Sequence, residues 1–239
     1  MKYLPVKARQ QNPIDNNSGF SLIELLVVLG IIGIMATVSI IYFSATKKLY
    51  KAEEQALQIV DLIQEARQRA LTQRETMRVE LDLSTNAARL IDENTAATSS
   101  DDKVIRIVPF YETSEVKINT KPNNVSGTPP ELAPVPAAVF KPSTYIFSPA
   151  HNVCTLRFLL NGTVADAGTN DVGANAVSVG TTLFVWKPKQ NNANDAEVSR
   201  AITIVGSSGS VRMWEYRQVN GTYVWKDSRR SSYGQAVTP

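Results

Sequence analysis

The longest uninterrupted run of apolar positions lies near the N-terminus. Residues 25–46 read LLVVLGIIGIMATVSIIYFSAT, and these 22 residues include no charged side chain. A helix of this length spans about 33 Å, which is enough to cross a hydrocarbon core of about 30 Å. Buried helices of soluble proteins rarely stay free of charge over such a length, so we predict a membrane-spanning helix.

The pattern beyond this run is that of an amphipathic helix. Small and aliphatic side chains recur three or four positions apart, at Ala45, Leu49, Ala52, Ala56, Ile59, Ile63, Ala66 and Ala70. Charged side chains such as Lys51, Glu54 and Asp61 occupy other positions, and neither Gly nor Pro occurs between residues 34 and 108. We therefore predict one continuous helix from about residue 21 to about residue 73.

The remaining chain alternates with a period of two, which is typical of β-strands. The strand candidates are residues 77–83, 88–93, 104–110, 143–148, 155–160, 182–187, 200–206, 210–216 and 222–227. Residues 84–86 fit a turn between the first two candidates. Asn220-Gly221 is a strong hairpin signal, and Asn161-Gly162 is another possible turn. The pattern predicts an α+β fold in which a long N-terminal helix packs on a C-terminal antiparallel β domain.

Three stretches of the β region lack this alternation. Residues 119–143 hold six of the twelve prolines, so they form either a long ordered loop or a flexible insertion. Residues 94–102 and 188–197 are polar, and we interpret both as loops.

The chain offers few side chains for catalysis. Cys154 is the single cysteine, which excludes an intrachain disulfide and a zinc site built on several thiolates. His151 is the single histidine, and its proximity to Cys154 raises the hypothesis of a Cys–His nucleophile. We favour an incidental pair in a loop, with Cys154 a small buried residue at a strand edge. We therefore predict no enzymatic activity and no cofactor.

Residues 161–175 supply oxygen atoms of the kind that calcium prefers, on Asn161, Asp166, Asn170 and Asp171. The stretch lacks the ligand order and the bidentate glutamate of an EF-hand. Asn, Asp and Gly are also the ordinary residues of turns, and we favour that interpretation over a metal site.

The polar segment in front of the apolar run carries Lys2, Lys7 and Arg9. A secretory signal would place its small-residue cleavage site after the apolar stretch, whereas here Ser18-Gly19 precedes it. The apolar helix should therefore be retained in the mature protein. Glu24 lies at the start of this helix, and a carboxylate near a membrane helix is costly enough to suggest a function.

The sequence GFSLIELLVV at residues 19–28 closely resembles the processing signal of type IV pilins and type II secretion pseudopilins. The resemblance implies that a prepilin peptidase cuts after Gly19 and methylates the new N-terminal Phe20. It further implies that Glu24 sets the register of the incoming subunit in a growing filament. It gives four segments: a cleaved leader at 1–19, a transmembrane half-helix at 20–45, an amphipathic half-helix at 46–75, and a β-rich domain at 76–239 with the Pro-rich insertion.

Within this superfamily the chain is most similar to the minor pseudopilin H and FimT-like group. The similarity rests on Ala66-Arg67, on TLRFLLNGTV at residues 155–164, and on SRAITIVGSSGSVRMWEY at residues 199–216. It implies a minor subunit of a secretion pseudopilus or a type IV pilus, whose partners are the peptidase, other pilins and an inner-membrane assembly platform. Three basic residues lie on each side of the apolar run, so charge alone does not determine the orientation of the helix in the membrane. The resemblance implies an inner-membrane anchor with a periplasmic C-terminal domain.

The C-terminal part of the chain raises a second functional hypothesis. Five basic residues follow position 210, namely Arg212, Arg217, Lys226, Arg229 and Arg230, and tryptophans and tyrosines are interleaved with them. Cationic groups beside aromatic faces suit single-stranded nucleic acid, and some FimT-like minor pilins are implicated in DNA uptake. We favour the alternative of a strand pair with buried aromatics and a solvated basic end.

Overall fold

The computed structural model describes residues 20–93, 101–119, 121–131, 140–143, 151–166 and 180–228. The chain divides into two compact units between Ala45 and Thr46. Helix α1 runs from Leu22 to Gln73, which confirms the predicted continuous helix.

The part of α1 in the second unit buries the face that the sequence predicted. Six of the predicted positions are completely buried, namely Ala52, Ala56, Ile59, Ile63, Ala66 and Ala70. Leu62 and the polar Gln55 are buried beside them. The four alanines present little side-chain volume, so strands can pack closely against the helix.

Eleven strands occur among the described residues. They are β1 (Thr76–Asp82), β2 (Ala87–Glu93), β3 (Lys103–Pro109), β4 (Lys117–Asn119), β5 (Lys141–Ser143), β6 (His151–Phe158), β7 (Val164–Asp166), β8 (Gly180–Lys189), β9 (Asn192–Val205), β10 (Ser210–Val219) and β11 (Thr222–Asp227). The first sheet has the order β3-β2-β1-β6-β5, with β7 also paired to β6, and the second has the order β11-β10-β9-β8-β4. Their strand pairs are antiparallel, which confirms the predicted α+β class.

The predicted turns are confirmed by backbone geometry. Asn86 closes the β1–β2 connection at φ 55°, and Asn220 and Gly221 join β10 to β11 at φ 49° and 82°. Gly162, between β6 and β7, has φ 80°. Asn and Gly tolerate these left-handed conformations better than other residues do.

The predicted polar loop at residues 188–197 is wrong, because these residues form the end of a hairpin. Strand β8 continues to Lys189 and β9 begins at Asn192, with Lys187 opposite Val198 and Lys189 opposite Asn192. The register shifts around Pro188, whose ring nitrogen has no hydrogen to donate to the ladder. Most side chains in the part of β9 that belongs to this hairpin are exposed, so the sequence there does not alternate between apolar and polar residues.

The sequence pattern did not predict three short strands. Strands β4 and β5 occupy the two ends of the Pro-rich insertion, and β7 lies within the stretch considered for calcium. Strand β6 starts at His151 instead of Thr155, so the pair His151 and Cys154 lies on a strand and not in a loop. Of the candidate at 143–148, only Ser143 is described, at the end of β5, and the rest lies outside the described residues.

The buried side chains form two clusters. The larger joins α1 to both sheets and includes Ile59, Phe158 and Ile202. The smaller lies on the opposite face of the second sheet, around the aromatic residues Phe184, Trp186, Trp214 and Trp225.

Part of the Pro-rich insertion covers the smaller cluster. Val125 is buried against it, and the Asn124 side chain hydrogen-bonds both the N–H and the carbonyl of Ala196, each at 2.7 Å. Residues 121–131 therefore follow the ordered-loop alternative, while residues 132–139 lie outside the described part of the chain.

Candidate functional site

The N-terminal unit begins with an exposed aromatic residue and a carboxylate in the first helical turn. Phe20 is 82% exposed and precedes α1, and Glu24 lies in the first turn, where the helix dipole favours an anion. The Leu25 N–H donates to the Ser21 carbonyl at 3.1 Å, which closes this turn. The predicted cleavage residue Gly19 lies outside the described residues.

The helix surface beyond Glu24 is apolar and open. Every described side chain from Leu22 to Ser39 is exposed, and Glu24 is the one charged residue in this stretch. Thr37 and Ser39 donate their hydroxyls to the carbonyls of Gly33 and Met35, at 2.9 and 2.8 Å, so neither carries an unsatisfied hydroxyl into an apolar environment. By length and composition Leu22–Ser39 can cross a membrane, and such a helix near the N-terminus fits membrane anchoring.

Glu24 can act on its own helix as well as on a neighbour. Ser21 precedes the helix and Glu24 follows three residues later, which is the spacing of a capping box. Glu24 makes no ion pair with any residue that the structure describes, and its side chain is exposed. Its charge is therefore accessible to a second polypeptide even if the carboxylate also caps α1.

The structure separates the basic residues that the nucleic-acid hypothesis would group. Arg212 lies on the face of β10 that carries Trp214, and its Nε is 3.0 Å from Oε1 of Glu131. Arg217 lies an odd number of positions away, so it faces the other side of the sheet. Lys226 lies opposite Glu215 and shares the side of Arg217. Arg229 and Arg230 lie outside the described residues.

The interleaved aromatic residues are mostly buried. Trp214 and Trp225 are only 7% and 8% exposed and belong to the smaller core cluster. Tyr216 stacks on Tyr223 with ring centroids 5.4 Å apart, and of these residues Tyr223 alone is more than half exposed. This is the strand pair with buried aromatics that we favoured from the sequence over a stacking platform.

His151 and Cys154 do not form a nucleophilic pair. Cys154 is buried in the larger core cluster, and a residue three positions away on a strand points to the opposite face. His151 instead places Nδ1 2.8 Å from Oδ2 of Asp82. The predicted burial of Cys154 is confirmed, but its predicted position at the edge of a strand is wrong, because β6 begins three residues earlier, at His151.

Asp82, at the end of β1, accepts hydrogen bonds from several neighbouring groups. Burial opposes its ionisation, but hydrogen bonds from His151, Thr85 and Arg89 and from the Ser84 N–H lower the pKa of Asp82 to about 2. The carboxylate is therefore ionised at neutral pH and ties the β1–β2 turn to β6.

The calcium candidates include one side chain engaged in a turn. Asn161 accepts hydrogen bonds from the N–H and the hydroxyl of Thr163, at 3.0 and 2.7 Å, as expected of an Asx-turn. Asp166 ends β7, and Asn170 and Asp171 lie outside the described residues. Across the described ranges, no group of three or more His, Cys, Asp or Glu side chains is placed to hold a metal ion.

A buried ionic network on the outer face of the first sheet was not predicted from the sequence. Glu93 accepts from Arg78 Nη1 at 2.5 Å and from Arg157 Nε at 2.9 Å, and all three side chains are at most 1% exposed. Arg78 also contacts Asp102 at 2.6 Å. Charged residues occupy alternate positions of β1, at Arg78, Glu80 and Asp82, which is typical of a strand face exposed to solvent. The sequence therefore did not indicate that this face is buried.

The chain was compared with protein-family models, with curated proteins and with solved structures. A protein-family model described as the prokaryotic N-terminal methylation motif matches residues 14–40. The comparison with curated proteins returned no match. A solved structure of the minor pseudopilin EpsH from the Type 2 Secretion System of Vibrio cholerae is 13% identical, covers 76% of this chain and 99% of that chain, and has a TM-score of 0.35. That structural similarity is too low to support an argument.

The family-model match covers Phe20, Glu24 and the whole exposed apolar stretch from Leu22 to Ser39. It begins five residues before Gly19, so it also includes the end of the polar segment. The chain thus carries a prokaryotic N-terminal methylation motif that includes Phe20 and Glu24.

Proposed function

We propose that this protein is a minor pilin-like structural subunit of a type II secretion pseudopilus or a type IV pilus. A prepilin peptidase cuts after Gly19 and methylates the new N-terminal Phe20. Residues 20–45 then hold the subunit in the inner membrane with the C-terminal domain in the periplasm. An inner-membrane assembly platform inserts the subunit into a filament of other pilins or pseudopilins by helix-to-helix packing. The role is structural and not enzymatic.

One observation carries this proposal. The methylation motif coincides with an apolar helix whose side chains from Leu22 to Ser39 are all exposed and whose only charge is Glu24. An apolar surface of this extent needs a partner, and a bilayer followed by a bundle of similar helices supplies one.

Glu24 provides the register in this proposal. The carboxylate costs free energy inside an apolar helix bundle unless a cation pairs with it. Cleavage after Gly19 creates an α-amino group on Phe20, four residues away, and a neighbouring subunit displaced along the filament axis can bring its amine to Glu24. The pair then selects one axial position.

The substitution Glu24→Gln separates this role from helix capping. Glutamine serves in a capping box as glutamate does, so α1 should keep its start while the charge is lost. In a deletion strain complemented with each variant, we expect normal membrane levels and normal cleavage but at least a tenfold fall in the amount of subunit in sheared filaments. Glu75→Gln is the matched control, since Glu75 is exposed and follows the helix.

Normal incorporation of the Glu24→Gln subunit would overturn the register role. A loss of membrane-bound protein would also overturn it, since capping or insertion would then explain the effect. The deletion strain itself identifies the machine: loss of exoprotein secretion with normal pili indicates a pseudopilus, and loss of surface pili or DNA uptake indicates a type IV pilus.

Nucleic-acid capture, the function of a FimT-like DNA-binding minor pilin, is not proposed. Arg212 is on one face of β10 and paired with Glu131, while Arg217 and Lys226 are on the other face beside Glu215. Sequence-independent binding needs cations that follow one track of phosphates, and this arrangement offers none among the described residues.

A further inference from the structure

A cavity of about 390 Å³ opens where the two sheets meet in the second unit. The β1–β2 turn contributes Leu83 and Asn86, the β3–β4 connection contributes Phe110 and Val116, and the second sheet contributes Trp186. The last three side chains are at most 8% exposed; Phe110 and Val116 belong to the larger core cluster, and Trp186 belongs to the smaller one on the other face of the second sheet. The volume lies within the usual range of ligand pockets.

The polar part of the lining is cationic. Lys117 and Lys121 line the cavity together with the amides of Asn86, Asn123 and Asn194, and none of the described lining residues is Asp or Glu. Lys117 donates to the Ala193 carbonyl at 2.7 Å and lies 5.2 Å from the centre of the Trp186 ring. Lys121 donates to the Gly127 carbonyl at 3.4 Å.

These contacts are with uncharged groups, so they do not neutralise the two ammonium groups. Neither lysine forms an ion pair with a described carboxylate. Two positive charges beside buried apolar side chains are complementary to a ligand that combines a carboxylate with an apolar side chain.

The strand beside the cavity favours a peptide as this ligand. Strand β4 is the edge strand of the second sheet, and its residues Lys117 and Ile118 line the cavity. An edge strand presents backbone N–H and carbonyl groups that an extended peptide can pair with, while a neighbouring pocket accepts one of its side chains.

We propose that this cavity binds an extended acidic segment of a partner protein. An apolar side chain of that segment packs beside Phe110 and Val116, and a neighbouring carboxylate meets Lys117 and Lys121. This inference does not depend on the filament role, because it rests on the cavity of the second unit alone.

Fluorescence anisotropy with labelled peptides tests the proposal on the full chain in detergent micelles. The probes are two short peptides that share a central phenylalanine and differ only in their flanks, which are glutamates in one and lysines in the other. We expect the acidic peptide to bind at least about tenfold more tightly than the basic one, and its affinity to fall with added salt.

Two variants and a control locate the binding. Lys117→Glu with Lys121→Glu should weaken the acidic peptide about tenfold or more, and Thr113→Trp should block it by filling the cavity from an exposed position without changing charge. Lys189→Glu, an exposed residue of the β8–β9 hairpin outside the lining, should leave binding unchanged. Equal binding of both peptides, no binding of either, or binding insensitive to Thr113→Trp would overturn the proposal.

Discussion

Glu93 lies between two arginines that are almost completely removed from solvent. Arg78 and Arg157 each contact one of its oxygens, and Arg157 meets no other carboxylate among the described residues. Burying three charges is costly, and mutual pairing recovers that cost only while every partner is present. Removing the charge of Glu93 should therefore destabilise the protein more than breaking an exposed ion pair does.

Glu93→Gln should lower the free energy of unfolding by about 3–5 kcal/mol, since it leaves buried guanidinium charge without its counter-ion. Glu197→Gln is the matched control, because Glu197 pairs with Lys187 at the surface with 44% of its side chain exposed. That change should cost less than about 1 kcal/mol. Urea unfolding followed by circular dichroism measures both, and equal effects of the two substitutions would contradict this account of the network.

The ionisation of Asp82 makes the free energy of unfolding depend on pH in the acidic range. Its pKa falls from 3.8 to about 2 on folding, so its ionised form stabilises the protein above about pH 4, and this contribution disappears as the pH drops from about 4 to 2. Asp82→Asn should therefore be less stable than the wild type at pH 6, and the gap should close toward pH 2. Melting temperatures across this range test the prediction, and a constant gap would refute it.

At the scale of elements, long periodic segments were predictable and short ones were not. The helix followed from uninterrupted spacing, and β11 was predicted at its observed bounds, 222–227. Strands β4, β5 and β7 have three residues each, which is too few for an alternation, and their partners in the sheet determine them. The β8–β9 extension was missed because its exposed side chains look like those of a loop.

Two turns meet at a position that only glycine can occupy. Gly209, between β9 and β10, has φ 61°, and a Cβ atom there would lie 2.3 Å from the Gly162 carbonyl oxygen. The Gly206 carbonyl also accepts from the Val164 N–H at 2.8 Å, so this contact joins the turns of the two sheets.

Gly209→Ala should destabilise the protein by at least about 2 kcal/mol, through backbone strain and overpacking together. Gly221→Ala isolates the strain, because Gly221 has φ 82° and a Cβ atom there would meet nothing within 4 Å. Thermal unfolding of the two variants should show the larger loss for Gly209→Ala. A loss no greater than that of Gly221→Ala would mean that the two turns can move apart.

At the scale of the whole molecule, the residues proposed for assembly and those proposed for recognition belong to different units. Glu24 is recognisable in the sequence because a charge at the start of an apolar helix stands out, and Phe20 is recognisable only through the resemblance of residues 19–28 to a pilin processing signal. Lys117 and Lys121 are not recognisable, because lysines in a loop region carry no signal until folding places them at a cavity beside Trp186.

The central claim is that the chain is processed as a prepilin. The most direct measurement is the intact mass of the full chain after co-expression with a prepilin peptidase, with a catalytically inactive peptidase as the control. The account predicts a protein that has lost residues 1–19 and gained one methyl group on Phe20. An unchanged mass, or cleavage at a different bond, would contradict it.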